Sequence, residues 1–496
     1  MTDLAFAGTS GIIIIVAYGL LMLGIGVITY FQHKNVHQSH KEYYLGGGSL
    51  SVFVLFFTFY ATQYSGNTVV GYAPTAYRLG FEWLQSITFF ILIIVGYLLF
   101  APRLYVLGKK YNFITPSDYL QKRFNSKAVT ILASLLMIYG LGNYLLEQLI
   151  AIGHGVSGLT GGTIPYQIAV VFFVVIMIIY GWLGGMRSVA YTDTMQGIAL
   201  LFGIIILLIG SIVYFGGIPT ASEQIAALEP EKLGAPDFSG VLSWFSQLVL
   251  IGIGAALYPH AIQRIFAAKN ERTLKRSLSW MAWMPFITSG FVFLIGIIGM
   301  NAFPGLSTAE SEELVGMMAN HVATQNVFFY WAMVLLFGGI IAAIVSTADS
   351  VLLTMSSVIS KDLYGKFISP LASEKKQIYV GKIIGVLLVG VLLIIAWYPP
   401  ATLYRIFILK FELLIQIAPA FILGLYWKRL NKTAVLSGMI VGTVISAAMA
   451  FMGLKPLGVA AGLWGLIINT FICIVVSLAM KQSVEQQKKL TEELSM

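Results

Sequence analysis

The residues most suited to ion chemistry are neutral oxygen donors in the apolar stretch 342–350 (AAIVSTADS). A hard monovalent cation needs several oxygen ligands, and hydroxyls with freed backbone carbonyls supply them without a titratable group. Ser346 and Thr347 are adjacent on a predicted helix, so both hydroxyls can reach one point if the carbonyl of Ala343 is close to it. The alternative is that both hydroxyls bond back to the preceding helical turn.

Two carboxylates accompany this chemistry. Asp349 follows Ser346 by one helical turn, within or beside the membrane, where carboxylates are costly and functional by default. Asp193 belongs to a third motif, residues 181–196 (GWLGGMRSVAYTDTMQ), at a helix connection. It either complements the positive N-terminus of the next helix or helps draw a cation inward. We predict a second cation site or a cation access route at these two carboxylates.

Two apolar segments are interrupted by glycine and proline. The first contains residues 61–67 (ATQYSGN) and then reaches Gly71 and Pro74; the second is 252–260 (GIGAALYPH). Such breaks free backbone carbonyls and amides, which hydrocarbon tolerates only where protein or a watery cavity satisfies them. When breaks fall at corresponding places in two halves of a chain, they point to the substrate and ion site of a transporter.

The first break is predicted to carry ligands for the ion and ligands for the solute. It exposes the carbonyls of Ala61 and Tyr64, while its polar side chains face a cavity. Gln63 can donate and accept, which suits a carboxylate or amide group of a solute. The alternatives are that Gln63 bonds the freed backbone of its own helix, and that the small residues here only pack closely. The predicted solute-binding residues are Thr62, Gln63, Ser65, Gly66, Asn67, Gln148, Ala255 and Tyr258.

Further ionisable residues lie inside predicted spans. Glu147 neighbours Gln148 and could line the same cavity. Lys410 and Glu412 are two positions apart and do not face each other on one helix, so each needs a partner elsewhere.

The composition is that of a membrane protein. The chain is 58% hydrophobic and 10% charged, with a mean hydropathy of +0.85, and apolar runs of helix-spanning length recur along nearly all of it. We therefore predict an all-α integral membrane protein. About thirteen transmembrane helices are expected, at residues 8–31, 49–77, 80–101, 128–155, 164–183, 189–216, 240–267, 278–302, 326–360, 378–396, 401–427, 433–452 and 456–480.

The net charge of +9 encodes orientation. If the spans alternate sides with the C-terminus inside, 25 of the 30 basic residues fall inside and 3 outside. This split follows the positive-inside rule and, with an odd helix count, places the N-terminus outside and the C-terminus in the cytoplasm. We predict a multi-pass protein of the cell membrane, a monomer or weak oligomer, with no nucleic-acid partner.

Ten of the predicted helices form two repeats. Two units of five helices, each opening on an interrupted segment, have the parity that an inverted-topology repeat requires. The predicted units are an N-terminal extra helix and inner loop (1–48), a first repeat (49–216), a second repeat (217–427), and two C-terminal helices with a tail (428–496).

The Gly-Gly…Thr-Asp…Gln and Ser-Thr-Ala-Asp-Ser strings, at this spacing within residues 10–480, resemble the sodium:solute symporter family. The resemblance implies the leucine-transporter type of fold, with one extra N-terminal and two extra C-terminal helices. It also implies a role for Asp193 in sodium access or in a second sodium site. The implied sodium ligands are the backbone oxygens of Ala61, Tyr64 and Ala343 and the hydroxyls of Ser346 and Thr347.

The chain also departs from that family. Where its proline symporters carry an acidic residue in the first broken helix, this chain has Gln63, and an aromatic pair of the second falls on Ile251 and Ala255. These departures argue against proline as the solute. Three residues of the second broken segment match the family: Pro259, His260 and Arg264.

The expected function is sodium-coupled import of a small polar organic solute, a carboxylate or amino-acid-like compound, by alternating access. The alternatives are a proton-coupled symporter and a passive uniporter or channel of the same fold. No enzyme activity is expected, because no His/Glu metal cluster or activated nucleophile is visible. No cofactor is expected besides the coupling Na⁺, and the partners are the solute, sodium and the lipid bilayer. Cys473, the only cysteine, excludes an intramolecular disulfide.

Overall fold

The structure is a computed structural model that describes residues 5–480 except 7, 34–38 and 184. Gly184 of the third motif and residues 481–496 of the predicted tail therefore lie outside the described residues. Across the described part of the chain the fold is all-helical, without strands, and a single isolated bridge joins Leu50 to Ala268.

Helices α1 to α11 cover the N-terminal half. Their bounds are Thr9–His33, His40–Leu45, Val52–Gln63, Gly66–Leu79, Gln85–Tyr111, Pro116–Phe124, Lys127–Leu159, Tyr166–Leu183, Met186–Phe215, Ile218–Leu228 and Phe238–Ala256. Helices α12 to α22 follow, at Pro259–Ala267, Glu271–Met281, Gly290–Ala302, Thr308–Ser311, Leu314–Ala323, Val327–Ser357, Glu374–Ala396, Leu403–Leu414, Gly424–Tyr426, Lys432–Phe451 and Ala461–Ala479. Turns of π-helix occupy Pro285–Ser289, Val358–Ile368 and Pro419–Leu423.

Ten helical segments within the described residues are long and apolar enough to cross a membrane. The expected count of thirteen is not confirmed. One reason is that the predicted span 49–77 divides into α3 and α4, of 12 and 14 residues. At 1.5 Å per residue, neither half alone crosses a hydrocarbon core of about 30 Å. The connections between predicted spans at residues 217–238 and 303–325 contain shorter helices, α10, α15 and α16.

Both predicted interruptions are present. Between α3 and α4, Tyr64 has φ −113° and ψ 82°, and Ser65 is extended at φ −81° and ψ 173°. Between α11 and α12, Tyr258 has φ −53° and ψ 127°, and Pro259 opens the next helix. Proline suits that position because its missing N–H would be unpaired in any residue there.

The two broken segments meet at one end of each. The Leu50 amide, just before α3, donates to the Ala267 carbonyl at 3.1 Å, and the Lys269 amide donates to the Leu50 carbonyl at 3.1 Å. The start of one broken segment therefore lies beside the end of the other. This arrangement is what an inverted repeat requires, while the unit boundaries stay a prediction.

A small residue lets α17 and α9, two helices beside the first broken segment, pack closely. A Cβ added at Gly339 of α17 would lie 2.9 Å from the backbone of Ala199 and Leu200 on α9. Glycine lets two helix backbones approach this closely in a membrane, where association depends on van der Waals contact. α9 and α17 are thus closely packed against each other beside α3 and α4.

Candidate functional site

Two of the predicted sodium ligands meet across α3 and α17. The Thr347 hydroxyl donates to the Ala61 carbonyl at 3.0 Å, and both residues are buried. Ala61 lies in the last turn of α3, where carbonyls have no helical partner. The break therefore presents a backbone oxygen to a hydroxyl, the kind of neutral oxygen pair that suits a hard monovalent cation.

The remaining three predicted ligands surround this contact in different ways. Tyr64 ends α3, and Ala343 lies one turn before Thr347 on α17; both are buried. Ser346 is buried too, but its hydroxyl donates to the Asp193 carboxylate. The two neighbouring hydroxyls thus bond different partners, neither of them in the preceding helical turn.

Asp193 is the counterion of a buried arginine. Its carboxylate lies 3.0 Å from Nη2 of Arg264 and also accepts from the hydroxyls of Thr58 and Ser346. Both charged side chains are at most 1% exposed. Sequence reasoning assigned Asp193 to a cation role and missed Arg264 as its partner.

Arg264 connects several helices through its other donors. Nε donates to the Thr58 carbonyl at 3.0 Å and to the Thr58 hydroxyl at 2.9 Å. Nη1 donates to the His260 carbonyl at 3.0 Å, and Nη2 to the Ser350 hydroxyl at 2.8 Å. The planar guanidinium therefore ties α12 to α3, α9 and α17 at once.

Asp349 lies one turn beyond Ser346 and is 2% exposed. Neither of its carboxylate oxygens has a hydrogen-bond partner among the described residues. A buried carboxylate without a partner is costly unless it holds a proton or a cation. The predicted cation role of Asp349 fits this position and stays a prediction.

A narrow cavity lies beside the first break, with a volume of about 10 Å³ for a water-sized probe. Five predicted solute-binding residues line it: Gln63, Ser65, Asn67, Ala255 and Tyr258. Its other lining residues come from α4, α5, α7, α11 and α19: Thr68, Tyr72, Phe90, Ile93, Tyr144, Glu147, Ile251, Phe407, Lys410 and Phe411.

Three predicted solute-binding residues are not among those lining the cavity. The Thr62 hydroxyl bonds back to the Thr58 carbonyl at 2.7 Å. Gly66 packs against Ile344 of α17, which is the close-packing alternative. Gln148 is buried, and neither of its amide atoms has a hydrogen-bond partner among the described residues.

Gln63 reaches away from its own backbone. Its side-chain amide donates to the Tyr97 hydroxyl on α5, while the Thr62 carbonyl of the same turn accepts from the Tyr144 hydroxyl at 2.9 Å. A freed carbonyl is thus satisfied by a tyrosine of α7. The amide oxygen of Gln63 is then the acceptor that this residue offers to the cavity.

The cavity also contains an ion pair that sequence reasoning did not assemble. The Lys410 ammonium on α19 bonds the Glu147 carboxylate on α7, and each side chain is at most 1% exposed. Lys410 Nζ lies 3.8 Å from the ring centroid of Tyr144 and 4.4 Å from that of Phe407, distances typical of cation–π contacts. The sequence indicated only that an intramembrane charge such as Lys410 needs a partner outside its own helix.

Two carboxylates outside the spanning segments, Asp118 and Glu312, pair with basic residues of neighbouring helices. Asp118, after α5, pairs with Lys366 at 3.0 Å and with Lys361. Burial opposes ionisation of Asp118, yet the two ammonium groups hold the pKa of its carboxyl below the usual range. Glu312 pairs with Arg78, which precedes α5, at 2.8 Å, and burial raises the pKa of Glu312 despite this partner.

The substitution Gly66→Ala is expected to lower the free energy of unfolding by about 1–3 kcal/mol through overpacking. The new Cβ would lie 2.3 Å from Cγ1 of Ile344 and 2.5 Å from the Ile340 carbonyl oxygen, so α4 must move away from α17. Thermal unfolding of the purified protein measures the change. Gly142→Ala on α7 is the matched control, because a Cβ there meets nothing within 4 Å. Equal melting temperatures for the two variants would contradict the close approach.

Comparison with known proteins shows which family the chain resembles. The Sodium:solute symporter family matches residues 43–442. The chain is 28% identical over 452 residues to the sodium/pantothenate symporter of Escherichia coli strain K12, covering 90% of this chain and 91% of that protein. It is 26% identical over 487 residues to the osmoregulated proline transporter OpuE of Bacillus subtilis strain 168, covering 96% and 97%.

Two solved structures share the fold. A substrate-bound, outward-open Na⁺-coupled sialic acid symporter superposes with a TM-score of 0.77 at 20% identity, over 96% of this chain and 99% of that one. Mhp1, a nucleobase-cation-symport-1 family transporter in a closed conformation, gives 0.55 at 14% identity, over 93% and 99%. Both have the leucine-transporter fold, which confirms the expected fold type. Since the family match spans most of the chain and the fold agrees with it, the protein belongs to the sodium:solute symporter family.

Proposed function

We propose that this protein is a sodium-coupled importer of a small organic carboxylate, working by alternating access. The contact between Thr347 and Ala61 carries the proposal, because it places two neutral oxygens at the helix break that also borders the cavity. An ion bound there contacts both α3 and α17, and its presence fixes the geometry of the break. The sodium set is then Ala61, Tyr64, Ala343, Ser346 and Thr347.

The chemistry of the cavity supports a carboxylate as the solute. Gln63 and Lys410 supply polar groups among aromatic walls such as Phe90 and Phe411. A buried ammonium favours an anionic group, because charge-assisted hydrogen bonds are roughly twice as strong as neutral ones. Pantothenate and proline, in the names of two relatives, are both carboxylic acids, and the departures at Gln63, Ile251 and Ala255 argue against proline.

Sodium and solute binding are coupled because both sites include the break between α3 and α4. Sodium that orders the α3–α4 break raises the affinity for solute, and solute raises the affinity for sodium by the same factor. One sodium ion moving inward at 100 mV adds about 2.3 kcal/mol from the membrane potential. Asp193 and Asp349 lie next to this site and would serve ion entry or a second ion.

Uptake into proteoliposomes tests the proposal. Labelled pantothenate, proline and a panel of other carboxylates are offered with an inward sodium gradient, with potassium in its place, and with an imposed proton gradient in sodium-free buffer. We expect uptake of at least one carboxylate above its external concentration in the sodium arm alone. Equal uptake in the proton arm would replace sodium by protons as the coupling ion, and uptake that stops at equal concentrations would make the protein a uniporter.

We propose further that the N-terminus lies outside and the C-terminus in the cytoplasm of the cell membrane. Glu223 and Lys275 are exposed and fall on opposite sides in this topology. In a Cys473→Ser background, Glu223→Cys should react with a membrane-impermeant maleimide on intact cells, and Lys275→Cys only after permeabilisation. The reverse pattern would contradict the orientation.

A further inference from the structure

We propose that Lys410 and Asn67 select carboxylates that carry a hydrogen-bond donor on the first or second carbon after the carboxyl group. The Lys410 ammonium binds the carboxylate, and the Asn67 side-chain oxygen accepts from the neighbouring donor. This inference rests on the proposed function and narrows its solute class.

The Lys410 ammonium has donors to spare. It carries three N–H groups, and its hydrogen bond within the described residues goes to one oxygen of Glu147. Aromatic rings surround the rest of the group, among them Tyr144, Phe407 and Phe411. Ring faces stabilise the positive charge but supply no acceptor oxygen. A carboxylate in the cavity is the complement of such an ammonium.

Asn67 offers a hydrogen-bond acceptor, whereas Lys410 offers donors. Its side-chain nitrogen donates to the other oxygen of Glu147. Its side-chain oxygen is buried and has no hydrogen-bond partner among the described residues. A buried acceptor without a partner costs about 1–3 kcal/mol, which a solute recovers if it brings an N–H or O–H group to that atom.

Glu147 sets the spacing between these two groups. One of its oxygens bonds Lys410 and the other bonds Asn67, so the cation and the amide are held on the two sides of a single carboxylate. A solute that satisfies both brings an anionic oxygen and a hydrogen-bond donor to two groups that one carboxylate holds side by side. A donor on the first or second carbon stays close to the carboxyl group whatever the rest of the solute looks like, which is why we propose that class.

Glu147 itself acts as a positioning residue. Both of its oxygens are already bonded within the protein, so the solute contacts its two neighbours instead. The pair of Glu147 and Lys410 is electrically neutral, and a carboxylate that enters together with one sodium ion preserves that neutrality. A site built to bond a polar group rejects analogues that lack the group far more strongly than an apolar pocket rejects a missing methylene.

The test measures binding by the purified full-length protein, as thermal stabilisation and titration in sodium and in potassium. The probes are carbon skeletons from three to six carbons, each as the 2-hydroxy acid, the 2-amino acid, the 3-hydroxy acid, the unsubstituted acid and the methyl ester of the 2-hydroxy acid. Pantothenate and proline join the panel. We expect sodium-dependent binding by members with a donor on the first or second carbon, about tenfold weaker binding by the unsubstituted acid of the same skeleton, and none by the ester.

Two variants separate recognition from folding. Lys410→Met combined with Glu147→Gln removes both charges together and so avoids an uncompensated buried charge. It should keep the thermal shift produced by sodium alone and lose at least about tenfold in carboxylate affinity. Asn67→Ala should reduce the preference of the wild type for the 2-hydroxy acid over the unsubstituted acid to less than about threefold.

Each outcome decides between the two levels of proposal. Carboxylate binding that needs Lys410 but is equal in sodium and potassium contradicts sodium coupling and leaves the selectivity inference standing. Sodium-dependent binding of esters, or carboxylate affinity unchanged in the double variant, overturns the inference alone. Failure of every donor-bearing carboxylate to bind in sodium also overturns it.

Discussion

Replacement of Arg264 by methionine is expected to lower the free energy of unfolding by about 3–5 kcal/mol. The variant leaves the Asp193 carboxylate buried without its cation, and it removes donors to the Thr58 and His260 carbonyls and to the Ser350 hydroxyl. Among the described residues, no other cation bonds this carboxylate. Thermal unfolding of the purified protein, together with its yield from the membrane, measures the loss.

The double variant Arg264→Met with Asp193→Asn is the control for this experiment. It removes both charges, and the side-chain amide introduced at position 193 can still bond the hydroxyls of Thr58 and Ser346. Much of the stability should return, because breaking a buried pair costs more than replacing it by neutral groups. A single variant that melts at the wild-type temperature would contradict the assignment of Arg264 as the counterion of Asp193.

The substitution Thr347→Val is expected to raise the sodium concentration for half-maximal uptake by about tenfold or more. Valine keeps the shape of threonine but has no oxygen for the ion, so the Ala61 carbonyl loses its neighbouring ligand. Initial uptake rates in proteoliposomes against external sodium give the change.

Thr347→Ser is the matched variant, because it restores the hydroxyl without the methyl group. It should bring the sodium dependence back to within about threefold of the wild type. If the valine and serine variants showed the same dependence of uptake rate on sodium, Thr347 would not be an ion ligand. The proposed sodium set would then have no side-chain ligand facing α3.

The chain breaks were predictable because they are encoded locally. Tyr64–Ser65 precedes a glycine, and Tyr258 precedes a proline, so the residue types themselves mark where helical hydrogen bonding stops. The same local information placed Gln63 and Asn67 at the cavity. The expected thirteen spans are not confirmed by the ten long apolar helices of the described residues, and residues 49–77, counted as one span, divide into two half-helices.

The buried ion pairs were beyond the reach of sequence patterns. Asp193 and Arg264 are 71 positions apart, and Glu147 and Lys410 are 263 apart. Periodicity identifies the face of a helix, but tertiary packing decides which two faces meet. Only the requirement that an intramembrane charge find an opposite charge was visible, and several basic residues could have met it.

The distance along the chain between Glu147 and Lys410 has a consequence for biosynthesis. A ribosome adding about 5–20 residues per second needs about 13–50 seconds to make the intervening 263 residues. Throughout that time Glu147 is in place with Asn67, already synthesised, but without its cation. Premature termination between Glu147 and α19 therefore yields a chain with an uncompensated carboxylate within the bilayer. This distinguishes such an unfinished product from a complete one and makes the joining of the two halves a late event in synthesis.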